Sequence, residues 1–117
     1  MKAVIFVSCL GNPSGIHQIH EFCKSRNIPL IDDAACSLGS SENGIPSGRL
    51  ADLSCFSFHP RKVITTGEGG AITTENKEYS DILARMLNHG AQQDTSAGWK
   101  FTDWGTNFRM SELQAAM

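Results

Sequence analysis

Two apolar runs flanking one amphipathic stretch decide most of what the start of this chain can fold into. Residues 2 to 8 (KAVIFVS) form a short apolar run that ends at the turn-forming Gly11-Asn12-Pro13-Ser14-Gly15. Residues 16 to 26 then place Ile16, Ile19, His20, Phe22 and Cys23 at helical spacing, which predicts one apolar face of an amphipathic helix. Asn27 follows as its C-terminal cap, and residues 28 to 31 make a second apolar run. Strand, helix and strand in this order predict a β-α-β unit whose strands are parallel, adjacent and covered by helices.

The rest of the chain continues in the same style. Residues 39 to 50 carry turn chemistry, with Glu42-Asn43-Gly44 as a hairpin tip. Residues 53 to 58 predict a third strand and 71 to 74 a fourth. Residues 75 to 89 place Tyr79, Ile82, Leu83, Met86 and Leu87 on one helical face, ended by Gly90. Residues 91 to 100 are polar and small and read as a loop, and Trp99 and Trp104 read as residues for burial or for interface packing. Residues 110 to 117 open a last helix with Ser111 as its cap. So short a helix is marginal alone, and the first strand begins at residue 2, so the chain reads as cut from something longer. The fold class is α/β, a mostly parallel sheet flanked by helices.

Composition narrows the function. With 117 residues, 40% apolar and 19% charged, this is a soluble globular chain rather than a tail. A net charge of −2 with no Lys/Arg cluster argues against a nucleic-acid or anionic-membrane partner. No apolar run approaches the ~20 residues that span a bilayer, and the opening run is too short for a signal peptide, so a cytoplasmic location is expected. Cys9, Cys23, Cys36 and Cys55 form no CxxC pair and no regular spacing, which predicts reduced thiols, with neither a disulfide framework nor a metal site. His17 and His20 stand at i,i+3 spacing without carboxylate partners and read as surface residues.

The chemistry concentrates in residues 54 to 70, SCFSFHPRKVITTGEGG. A strand breaks at His59-Pro60, presents Lys62, and leaves through Thr65-Thr66 into a glycine turn, so Lys62 is expected in a loop between two strands. Partial desolvation there lowers the cost of the neutral amine, a nucleophile toward carbonyl carbon. Thirty residues upstream, Pro29-Leu30-Ile31 runs into Asp32-Asp33-Ala34-Ala35. A carboxylate ending a parallel strand and a lysine after a neighbouring strand both face the crevice where α/β sheets bind ligands. Pyridoxal 5′-phosphate (PLP) needs such a pair: an amine for the Schiff base and a carboxylate to keep its pyridine nitrogen protonated. On spacing alone, an exposed lysine with a capping aspartate explains the same residues.

Six stretches occur here in order: Gly11-Asn12-Pro13, residues 29 to 35, Cys55-Phe56-Ser57-Phe58-His59-Pro60-Arg61-Lys62, Thr65-Thr66-Gly67-Glu68-Gly69-Gly70, Asn88-His89-Gly90, and residues 107 to 116 (NFRMSELQAA). Together they resemble the DegT/DnrJ/EryC1/StrS family of PLP-dependent sugar aminotransferases, fold type I, over essentially the whole chain. The resemblance implies that residues 1–117 are part of an aspartate aminotransferase-like large domain, with an N-terminal segment and a C-terminal small domain outside it. It implies that Lys62 is the Schiff-base lysine and that Asp33, rather than Asp32, pairs with the pyridinium. Ala35 matches the small residue against the ring, and Ser57 matches a hydroxyl on the cofactor phosphate. Asn107 resembles a segment reaching the neighbouring subunit's phosphate in a homodimer. Cys36 departs from the pattern, standing where the family commonly has Gln or His against the phenolic oxygen. Lysine rather than histidine at position 62 favours amino transfer over the related 3-dehydratase branch. The implied reaction moves an amino group, usually from glutamate, to a keto carbon of a nucleotide-linked deoxysugar, in polysaccharide or antibiotic-sugar synthesis. The alternative is a truncated, non-catalytic piece that folds or binds PLP without turnover. His59 fits either a substrate contact or loop ordering, His89 reads as a helix-end residue, and Glu68 has no assigned role.

Overall fold

The computed structural model describes residues 1–117. In chain order its elements are β1 (Val4–Val7), α1 (Ile16–Lys24), β2 (Leu30–Asp33), β3 (Ser41–Glu42), β4 (Ile45–Pro46), β5 (Leu53–Ser57), β6 (Gly70–Thr73), α2 (Lys77–Met86), β7 (Ala91–Asp94), β8 (Gly98–Phe101) and α3 (Glu112–Ala115). The main sheet has the order β1-β2-β5-β6. Its first two pairings are parallel, as the β-α-β reading requires, and β6 returns antiparallel to β5. The sheet is therefore mixed, with the antiparallel strand at one edge.

Register sorts the side chains. Phe6, Asp32, Ser54 and Thr73 lie in one row, and Val7, Asp33, Cys55 and Ile72 in the next. Successive residues of a strand point to opposite faces, so these rows face opposite ways. The first face is covered by α1. Ile16, Cys23, Leu30 and Leu50 form the core there, with Val4, Phe6, Ile28 and Ala51 packed against it. Full burial of Ile16 and Leu30 contributes roughly 1.5–3 kcal/mol each.

On the opposite face β1 is uncovered, while Ile31, Leu53 and Cys55 farther across the sheet are half-buried. Ile5 is 66% and Val7 56% exposed. The one helix of the β-α-β unit covers one face, and no other element lies over the first strand.

Helix ends are set by identifiable groups. Gly15, the residue before α1, has φ +91° and no side chain to cap with. The Glu42 carboxylate takes that role, accepting hydrogen bonds from the Gly15 and His17 N–H groups. Those two bonds hold the Glu42 carboxyl below its ordinary range. Glu42 is placed there by a tight hairpin in which Asn43 (φ 52°) and Gly44 (φ 79°) make the turn, as the sequence suggests. Asn27, at φ 55°, follows the end of α1. Asn76 caps α2 by accepting from the Glu78 and Tyr79 N–H groups, and Ser111 opens α3 in a reciprocal pair with Gln114. Past α2 only glycine fits at position 90, where φ is +71° and a Cβ would stand 1.7 Å from the Asp103 carbonyl oxygen.

Residues 91 to 100 are not a loop. They form most of an antiparallel hairpin, β7 with β8, in which Asp94 accepts from Ser96 at the turn and pairs with Lys100. Polar Gln92, Gln93 and Asp94 hide the strand, because both faces of the hairpin meet solvent and no apolar alternation is needed. Trp99 and Trp104 are exposed rather than buried within the chain. His20 does find a carboxylate, Asp52, at 3.6 Å. No helix is long and apolar enough to cross a membrane.

Candidate active site

The site lies at the C-terminal ends of β2 and β5 and is assembled from the turns that follow them. At the end of β2 the Ala35 N–H donates to Asp33 Oδ1 (3.2 Å) and the Ser37 N–H to the Ala34 carbonyl (3.0 Å). This turn presents Ala35, half-buried, and Cys36, exposed. Gly11 packs against it: a Cβ there would lie 2.9 Å from the Cys36 carbonyl oxygen. Ser40 Oγ donates to the Gly11 carbonyl at 2.7 Å and ties the same turn from its other side.

The second turn runs from Phe58 to Gly69. Phe58 N–H donates to the Gly69 carbonyl (2.9 Å), and the Phe58 carbonyl accepts from Thr65 Oγ1 (2.8 Å) and the Thr66 N–H (3.2 Å). Residues 59 to 64 are thereby held as one loop. Inside it the Lys62 N–H donates to the His59 carbonyl at 2.9 Å, and the Arg61 N–H donates to His59 Nδ1 at 3.1 Å. An accepting Nδ1 in neutral histidine puts the ring hydrogen on Nε2, so His59 offers a donor at its far end. Loop ordering and a free donor thus coexist in one residue.

The two turns meet through one contact. Lys62 Nζ donates to Cys36 Sγ at 3.1 Å. Lys62 takes part in no ion pair with a carboxylate. Beside it opens a cavity of about 480 Å³ lined by Ser57, His59, Arg61, Lys62 and Glu68, with no hydrophobic residue. A larger, mainly apolar cavity of about 610 Å³ shares only Glu68 with it and carries no candidate nucleophile besides Cys55. Lys62 lines the smaller one.

The adjacent carboxylates take opposite directions. Asp33 is exposed, in the row of Cys55 and on the face toward which Ser57 also points. Asp32 is 0% exposed; its Oδ1 accepts from Ser8 Oγ at 2.8 Å, while its Oδ2 has no partner. Burial raises the Asp32 carboxyl, the Ser8 hydrogen bond opposes this, and the neighbouring Asp33 charge adds to it. Burial also pushes the Cys55 thiol up, reinforced by Asp33 and then Asp32.

Asp33, Ala35, Cys36, Ser57 and Lys62 thus gather at one end of the sheet. Asn107 stands apart: it bridges to Asn88, accepts from the Arg109 N–H at 3.1 Å, and does not line the polar cavity. Arg61 and Glu68 line that cavity although the sequence assigned them no role; their signal was proximity to Lys62 within one loop. No three His, Cys, Asp or Glu side chains converge as a metal-holding group. An amine free of carboxylates, a carboxylate ending the adjacent strand, a small residue two positions on and a hydroxyl beside a cationic polar cavity are a donor set that fits PLP.

The model of the DegT/DnrJ/EryC1/StrS aminotransferase family matches residues 1–117. The chain belongs to that family. This family member is 40% identical over 115 residues to the UDP-4-amino-4,6-dideoxy-N-acetyl-beta-L-altrosamine transaminase of Campylobacter jejuni, covering 98% of this chain and 31% of the relative. Among solved structures it matches Helicobacter pylori PseC, an aminotransferase involved in the biosynthesis of pseudoaminic acid, with a TM-score of 0.91 and 31% identity. That match covers 99% of this chain and 31% of PseC. The sugar aminotransferase Spr1654 of Streptococcus pneumoniae, described as putative and solved in a PLP form, matches at TM-score 0.81 and 26% identity over 98% of this chain and 34% of that one. The family member therefore shares the fold of these aminotransferases and spans about a third of their length.

Proposed function

We propose that residues 1–117 are the central cofactor-binding segment of a PLP-dependent aminotransferase acting on a nucleotide-linked keto-sugar. The observation that carries this reading is the placement of Lys62, whose Nζ is turned toward the end of β2 with a thiol, not a carboxylate, as its partner. Relatives that transaminate a UDP-linked amino sugar, and a structural neighbour solved with PLP, support it.

Bound PLP supplies an electron sink for breaking a bond at the carbon that bears the amino group. Lys62 would hold the cofactor through Nζ and would carry the proton to and from the substrate carbon. Asp33 would keep the proton on the pyridine nitrogen. Ala35 would leave room for the ring and Ser57 would donate its hydroxyl to the phosphate; His59 and Arg61 line the same polar cavity. Cys36 would stand against the phenolic oxygen. Glutamate is the proposed amino donor, a homodimer in the cytoplasm is the proposed working form, and Asn107 is proposed to act across the subunit boundary.

A second reading is PLP capture without turnover, for which the uncovered face of β1 is the supporting observation. One experiment addresses both. The chain is mixed with PLP, reduced with borohydride, and the adduct located by mass spectrometry. A single adduct on Lys62, absent in Lys62→Arg, is expected; labelling scattered over several lysines would remove the cofactor assignment. Adduct formation without amino transfer to any keto-sugar would select the second reading.

A further inference from the structure

The contact between Cys36 and Lys62 has a chemistry of its own. We propose that the pair is an oxidation-closed covalent link, in which a peroxide joins Cys36 Sγ to Lys62 Nζ. The atoms lie 3.1 Å apart with the amine donating to the sulfur. Both backbones are fixed, Cys36 by the turn bonded at Ala34 and Ser37 and Lys62 by its bond to the His59 carbonyl. Only side-chain torsions need to change for a bond to form. Cys36 is exposed to a small oxidant, and no disulfide engages it. Of the other thiols, Cys23 is buried in the core and Cys55 is half-buried, while Cys9 is exposed but has no amine hydrogen-bonded to it.

The chemistry balances in two steps. The thiol attacks the peroxide; an S–O bond forms and the O–O bond breaks. Sulfur gives up two electrons, the peroxide leaves as an alcohol or water, and a sulfenic acid remains. The neutral Lys62 amine then attacks Sγ, the S–N bond forms, the S–O bond breaks, and one amine proton departs with the hydroxide as water. The product is a sulfenamide, lighter than the reduced pair by two hydrogen atoms. Two thiols of an external reductant restore amine and thiol and leave as a disulfide. An amine held against the sulfur outcompetes a second peroxide, because the attack is intramolecular.

The consequence for cofactor capture rests on the function proposed above; the link itself does not. A bonded Nζ cannot take a carbonyl carbon, so oxidation shuts the site and a thiol reopens it. Conversely, PLP bound at Lys62 blocks the link.

The test begins with PLP-free chain, stripped of reductant and titrated with hydrogen peroxide. It is then digested with chymotrypsin and mapped by mass spectrometry. The expected result is one cross-linked species joining the Cys36 and Lys62 peptides, lighter by two hydrogens and lost on adding dithiothreitol. Lys62→Arg should carry Cys36 on to sulfinic acid, and dimedone, which traps sulfenic acid, should abolish the link in the unsubstituted chain, so no variant needs to fold for the test to decide. A disulfide from Cys36 to exposed Cys9, a bridge retaining an oxygen atom, or sulfinic Cys36 beside a free Lys62 would each overturn the proposal. Borohydride trapping of PLP is scored separately on reduced protein, so loss of either result leaves the other standing.

Discussion

Adjacent carboxylates at the end of β2 meet opposite environments because a strand turns successive side chains to opposite faces. Asp33 reaches the open face. Asp32 is driven under α1, where Ser8 satisfies one oxygen and nothing satisfies the other. The parallel register sets Ser54 beside it, and the Ser54 hydroxyl is also unpartnered. An asparagine amide in place of this carboxylate would keep the Ser8 bond on its oxygen and remove the buried charge. Asp32→Asn is therefore expected to stabilise the fold at neutral pH, by removing the cost of ionising a buried carboxyl. The pH dependence fixes the cause. The folded carboxyl titrates above its ordinary value of 3.8, so ionisation opposes folding. This cost is absent below 3.8, grows as pH rises through the folded value, and is complete above it. Denaturant unfolding across that range should show the gain of the variant shrinking toward zero on acidification. A gain independent of pH would mean that Asp32 is not the strained group. Sequence exposes Asp33 and Lys62 because their types announce chemistry, whereas the Ser8–Asp32 pair spans 24 positions and is visible only once register is known.

At the scale of elements, α1 depends on a residue far along the chain. Its own N-cap is a glycine, and Glu42, delivered by the β3–β4 hairpin, supplies the missing acceptor to two N–H groups. Glu42→Ala should cost about 1 kcal/mol, as losing a helix cap does. Because the folded carboxyl lies below its ordinary value of 4.5, the cap's contribution is present above that pH and disappears as pH falls through the lower, folded value. Unfolding free energies at neutral and strongly acidic pH should therefore differ between native and variant only at the former. The turn at Asn43-Gly44 was legible because the dipeptide carries its own geometry. The cap was not, since it joins two elements that no local pattern connects. For the same reason β7 and β8 were missed: they are held by their backbone ladder and by Asp94 with Lys100, not by an apolar stripe. The β-α-β unit was legible because burial on one face forces the helical and strand periods into the sequence.

For the whole molecule, the decisive quantity is how much sheet is covered. The radius of gyration is 15.8 Å, against about 13 Å for a compact domain of this length, and the extents of 46 × 36 × 22 Å describe a slab. One face of the slab is the α1 core; the other presents Ile5, Val7 and Ile72 to solvent, with β1 as an open edge strand. Such a face and edge together favour association with like surfaces. Ile5→Lys and Val7→Lys should weaken concentration-dependent association in sedimentation and reduce binding of an apolar dye. Their effect on the thermal midpoint should be small, as for surface substitutions worth within about 0.5 kcal/mol. Phe6→Lys, one position away on the covered face, should instead abolish cooperative unfolding, because it sets a charge in the α1 core. If Ile5→Lys and Val7→Lys unfold the chain as Phe6→Lys does, the two faces are equally buried in solution and the open-slab description fails. If all three tolerate lysine, the α1 core is not what holds the sheet, and the site at the ends of β2 and β5 would lose the rigid frame on which Lys62 and Asp33 depend.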